Sequence, residues 1–266
     1  MALSPLNAAW IGLVVPGLPQ FLLGKPLRGI LALVSTIGLF VLGFAMLQER
    51  LWHLQAVQGS GMLRYFPILL QPEMGNAGAT IVAALLREAD SPDLLRAVLL
   101  PRDGEHLAML ATGFSGIASV LWASDAFWLA SGRPKLRAPP AAAAAAGWLV
   151  PGLGHVLAGQ KSKGYLVGAA VLAVFALALV VSGGHGVDRP AYPFWWAAQA
   201  FCGVGVLFAA LVTGPMQMDA YPELLELGIV LGAVAGLMNM MLMTDAWAVA
   251  ERGDDAVVRD AGEAQA

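Results

Sequence analysis

The feature that most constrains this chain is the length of its apolar runs. Eight stretches, roughly 8–23, 30–47, 65–86, 107–131, 141–158, 164–182, 192–213 and 224–249, carry few charges. They are continuous and lack the alternation that a membrane β-barrel needs. A bilayer core is about 30 Å thick and takes ~20 apolar residues per helical crossing. Charged residues are 12% of the 266, against about 25% in a soluble domain, so no stretch has the polarity of a large soluble domain. The expected fold is all-α, a polytopic transmembrane helical bundle.

The bundle is expected to be two tandem repeats of about four apolar segments each. PGLPQFLLGKPLRG (16–29) returns as PGLGHVLAGQKSKG (151–164), offset by 135. FPILLQPEMG (66–75) returns as FWWAAQAFCG (194–203), and GIASVLWASDA (116–126) as GLMNMMLMTDA (236–246), at offsets of 128 and 120. The order is kept, which is the signature of a duplication. The shrinking offset places extra loop in the first half, at 48–61 and 87–106. Residues 1–131 form the first repeat, 132–140 a basic linker containing proline, 141–252 the second repeat, and 253–266 a polar acidic tail.

The Pro-Gly pairs Pro16-Gly17 and Pro151-Gly152 interrupt the first segment of each half. If that segment spans, each half crosses four times; if it is re-entrant, three times. Lys and Arg divide eight to seven between the two sides either way, so the positive-inside rule sets no orientation. Trp10, Trp128, Trp148, Trp195, Trp196 and Trp247 stand near segment ends, where indole suits the membrane interface. The first basic residue is Lys25, so the N-terminus lacks the charge pattern of a secretory signal and is expected to be retained.

The PGxGHxxxGxxxKG pattern of the second half, with its weaker first-half copy, resembles the two-span transmembrane domain family. It resembles more closely bacterial membrane-protein families of unassigned function that share this element. The Asn-then-Asp ending of AGLMNMMLMTDA (235–246) extends the likeness. The resemblance implies a multi-pass protein of the bacterial inner membrane, with two helices joined by a short polar turn, and so favours spanning first segments. It implies no biochemical activity. The first half departs from the pattern, with Pro19, Gln20 and Ser119 where the second has Gly154, His155 and Asn239.

Physically the motif reads as a turn. Gly17, Gly24, Gly29, Gly152, Gly154, Gly159 and Gly164 let backbones approach closely, and each proline leaves a carbonyl for a neighbour to satisfy. Lys25, Arg28, Lys161 and Lys163 stand where the chain regains the interface and suit lipid headgroups. Gly228, Gly232 and Gly236, with Gly116 after Ala108 and Thr112, form small-residue packing seams. Asp125 and Asp245 lie nine residues past Gly116 and Gly236, on the opposite face and near the helix end.

Two readings of these aspartates stand open. They are hydrated or capped carboxylates paired with Arg133 or Arg252, or they share a polar intramembrane site with His155 and Asn239. Gln71 and Gln199 suit interhelical hydrogen bonds, and Met238, Met240, Met241 and Met243 suit adaptable packing. Cys202 is the single cysteine, which excludes an internal disulfide or a cysteine-based metal site. The net charge of −3 without a basic face points away from nucleic acid. GFSG (113–116) resembles the serine motif of rhomboid-type intramembrane proteases, for which Ser115 and His155 would have to meet. Ser115 falls on Ala235 in the repeat, and no metalloprotease, hydrolase or nucleotide motif is present. No cofactor or metal is expected. The expected role is therefore non-enzymatic: a scaffold or accessory subunit packing with lipids, another membrane protein or a second copy. A small transporter is the alternative, and a rhomboid-like protease a minor one.

Overall fold

In the computed structural model, the described residues are 3–47, 71–85, 104–132, 138–189, 191–214 and 222–252. Among them every regular element is helical. The acidic tail, most of the linker and most of both long first-half loops lie outside these residues, as does Arg133.

The first half runs through α1 (Pro5–Val14), α2 (Leu18–Leu22) and α3 (Pro26–Leu47), the last containing a π-turn over Val34–Gly38. A 3₁₀ turn (Pro72–Asn76) then leads into α4 (Ala77–Leu85), and α5 (Glu105–Ala130) closes the half. The second half repeats this order with α6 (Pro140–Leu149), α7 (Leu153–Leu157) and α8 (Lys161–Val181). A broken segment follows: α9 (Pro193–Gln199), a 3₁₀ turn (Ala200–Cys202) and α10 (Val204–Thr213). The last helix is α11 (Leu225–Arg252). Proline at the first turn of α1, α3 and α6 starts each helix where its missing N–H costs nothing.

Among the described residues four helices, α3, α5, α8 and α11, are long and apolar enough to cross a membrane. The protein is a polytopic helical membrane protein. Its long helices turn large apolar side chains outward, Val180 at 78% and Leu166 at 74% exposure, an arrangement suited to lipid tails and not to water.

The first segments are shorter than the two-span likeness implies. α1 and α6 have ten residues each, about 15 Å of rise and half of the hydrocarbon thickness. The chain then reverses through Gly17 and Gly152, at φ 88° and 84°, a left-handed conformation that glycine adopts without steric penalty. α7 folds back on α6 so closely that a Cβ on Gly154 would strike the carbonyl of Ala143. In the first half the fit is looser, a Cβ on Gly12 coming no nearer than 3.6 Å to Pro19. Each pair of short helices is a tight hairpin. The end of each meets the interrupted third segment: Trp148 donates to Ala200 O at 3.0 Å, and Gly78 is pressed against Val14 O.

The chain divides into two compact units. The first holds Met1–Ala130 together with Val187–Ala197 and Ala210–Ala220. The second holds Ser131–Gly186, Ala198–Ala209 and Tyr221–Ala266. Two pieces of the second repeat thus belong to the body built on the first. Within the first unit α3 packs on α5, with Gly43 against Ala108 O and Thr112. Within the second α8 packs on α11, with Gly228 against Ala178 O and Ser182.

Candidate functional site

In each unit a carboxylate near the end of the last long helix gathers one polar side chain from the hairpin and one cation from the long helix that follows it. In the first, Arg28 Nη1 donates to Asp125 Oδ1 at 2.6 Å, and Gln20 Nε2 reaches Asp125 Oδ2 at 3.5 Å and Trp122 O at 2.8 Å. In the second, Lys163 donates to Asp245 Oδ2, and His155 Nε2 lies 3.4 Å from that same oxygen. Gln20 and His155 occupy matched places in the repeat, as do Arg28 and Lys163. The basic partner in each case, Arg28 of α3 or Lys163 of α8, stands in the first turn of the long helix that follows the hairpin. Arg252 instead donates to Ala248 O on its own helix, at 3.2 Å.

Burial separates the two triads. Asp125 is 10% exposed at its side chain and Asp245 39%, while Arg28 and Lys163 are near 41% and 43%. His155 is fully buried. Its Nδ1 meets Gln160 Oε1 at 3.2 Å, whereas Nε2 has no partner with hydrogen-bond geometry. Burial, and then the Lys163 charge, hold the imidazole below its ordinary pKa, with Asp245 and Gln160 pulling the other way. Of the four cations expected at lipid headgroups, Arg28 and Lys163 are engaged with the aspartates, while Lys25 and Lys161 are exposed.

Asn239 does not join the triad of its unit. Its Nδ2 donates to Gly147 O at 2.9 Å and Phe201 O at 2.7 Å, tying α11 to the hairpin and to the broken segment. Gln199 acts similarly on Gly186 O and Ile229 O. Gln71, its counterpart in the repeat, is buried with no hydrogen-bond partner at its amide among the described residues. The glycine seam makes room for these contacts: a Cβ on Gly232 would come within 3.1 Å of Gln199, and one on Gly236 would strike Ala198 O. Gly116 is pressed likewise against Pro72 O. Ser115 donates to Thr112 O at 2.6 Å.

The first unit also holds an ion pair that the sequence reading missed. Arg189 and Glu73 are almost fully buried, at 0% and 2% side-chain exposure, and joined Nη2 to Oε1. Thr112 Oγ1 donates to the same oxygen at 2.7 Å, Arg189 Nη1 reaches Met109 O, and the guanidinium stacks 4.6 Å from the Trp196 ring. Trp196, expected at the membrane interface, is instead buried beside Phe114. Gly113 is what admits the arginine and the indole, since any Cβ there would meet both. The missed signal was an asymmetry: Glu73 falls on Phe201 in the repeat, and Thr112 on Gly232.

Two stretches of the chain, residues 6–135 and 142–255, match one family, described as a family of unknown function (DUF6677). The chain belongs to that family. The two matches meet at the linker, in keeping with a tandem duplication of one family unit. No curated protein and no solved structure gives a significant match.

Proposed function

We propose that this family member is a non-enzymatic scaffold or accessory subunit of the membrane, packing with lipids and with another membrane protein or a second copy. The observation that carries it is how the buried polar side chains are used. Gln20, Thr80, His106, Arg189, Gln199 and Asn239 each bond a backbone carbonyl. Broken helices within a bilayer leave carbonyls that must be satisfied internally, and Asn239 serves two of them, Gly147 O and Phe201 O. The test is extraction with a lipid annulus, followed by native mass measurement. Mass above the monomer, or retained lipid, is expected; a lone monomer without lipid counts against it.

Transport is the second reading, favoured by the Glu73–Arg189 pair beside an interrupted helix. Intramembrane ion pairs of this kind accompany ion and substrate pathways. It predicts proton or ion flux in reconstituted vesicles that Glu73→Gln abolishes, with Asp125→Asn and Asp245→Asn as further sites to test. A flux unchanged in all three variants removes it.

A further inference from the structure

Gln20 and His155 hold matched positions, yet only the histidine can change charge near neutral pH. Gln160 Oε1 accepts a hydrogen bond and cannot donate one, so the neutral ring carries its proton on Nδ1. Nε2 then turns a lone pair toward Asp245 Oδ2 at 3.4 Å, the oxygen that Lys163 already holds. Among the described residues, the charged groups around the ring are Lys163 from α8 and Asp245 from α11, with Arg252 acting on Asp245 from farther along that helix. Neither α6 nor α7 brings another titratable side chain.

We propose that His155, Lys163 and Asp245 form a proton-operated latch on the second hairpin. At neutral pH, Lys163 alone holds Asp245. When Nε2 takes a proton from bulk water, a new N–H donor faces the same carboxylate oxygen, and two cations compete for it. The His155 ring is fully buried and held by the packing around it, whereas Lys163 is 43% exposed at its side chain and free to swing into water. Lys163 is therefore the cation that leaves, and its ammonium joins Lys161 at the headgroup surface. Burial and the lysine charge keep the latch set until the medium acidifies. The first hairpin has glutamine in this place and stays closed.

The experiment uses the full chain in phosphatidylcholine nanodiscs. Lysines are reductively methylated between pH 7.5 and 5 and quantified by peptide mass spectrometry, with exposed Lys161 as the internal reference. Acidification is expected to raise Lys163 labelling relative to Lys161 by about twofold or more, as a half-exposed ion pair opens. His155→Gln, which installs the first-half side chain, is expected to hold the ratio flat. A flat ratio in the wild type, or an equal rise in His155→Gln, overturns the latch. Nitrogen NMR of the four labelled histidines needs no variant: Nε2 of His155 must gain its proton in the same range. A ring still neutral at pH 5 also overturns it.

Discussion

Arg28 and Asp125 are 97 residues apart in sequence and 2.6 Å apart in space, and Lys163 and Asp245 repeat the bond in the second unit. The start of the long helix that follows each hairpin is thereby fastened to the last long helix of the same unit. Because Asp125 is the more buried carboxylate, its pair has less water to screen it. A double-mutant cycle on Arg28→Gln and Asp125→Asn is expected to give a coupling of about 1 kcal/mol, against a few tenths for Lys163 with Asp245. Thermal unfolding in detergent measures both. Equal couplings would mean that burial does not set the difference.

Asn239→Leu removes the donor that serves both Gly147 O and Phe201 O. Stranding buried carbonyls costs about 1–3 kcal/mol apiece, so the thermal midpoint should fall sharply. Asn239→Ser, which copies Ser119 of the first half, is expected to restore little, because serine is too short to span two carbonyls. Full recovery by serine would show that the asparagine bridge is dispensable.

The glycine contacts predict a graded series. Gly236→Ala drives a methyl into Ala198 O, and Gly228→Ala brings one to 2.5 Å from Ser182 Cβ. Both should destabilise by about 1–3 kcal/mol or more, as overpacked cores do. Gly38→Ala meets nothing nearer than 3.9 Å, and should be neutral or stabilising by up to ~1 kcal/mol through helix propensity. Comparable losses at all three sites would contradict the packing described.

Breaking the Glu73–Arg189 pair from one side leaves an uncompensated buried charge. Arg189→Met or Glu73→Met alone should cost about 3–5 kcal/mol, and the double substitution should recover most of it. Folded yield and chemical unfolding in detergent distinguish this from additive damage, which would mean that the residues do not act as a pair.

Stability should also depend on pH through His155. The native ring binds its proton less readily than the unfolded one, whose pKa is about 6.5. As pH falls through that value the unfolded chain gains the proton first, so stability falls, and the loss levels off below the native pKa. The thermal midpoint of the wild type should drop between roughly pH 7 and 5 relative to His155→Gln. Parallel curves would remove the histidine as the cause.

Several of these features could be read without coordinates. The eight apolar runs include α3, α5, α8 and α11 because charge is costly in lipid. The Pro-Gly turns could be read because a tight reversal favours a residue free to adopt positive φ. The aspartates' partners could not. Arg252 was favoured by its nearness in sequence, yet the reversal at Gly152 carries Lys163 to Asp245 from 82 residues away. Asn239 likewise resembled a site residue until its two carbonyl acceptors were visible.

The sequence by itself determined a duplicated helical membrane protein, because hydrophobic period and small-residue spacing are local properties of the chain. Only the tertiary structure decided that the first segments are half-length hairpins, and that residues 187–197 join the unit built on the first repeat. Only there does Arg189 meet Glu73, 116 residues away. A buried charge is stable only where distant segments bring its counter-charge and carbonyls to it, and that is a property of packing and not of any stretch of sequence.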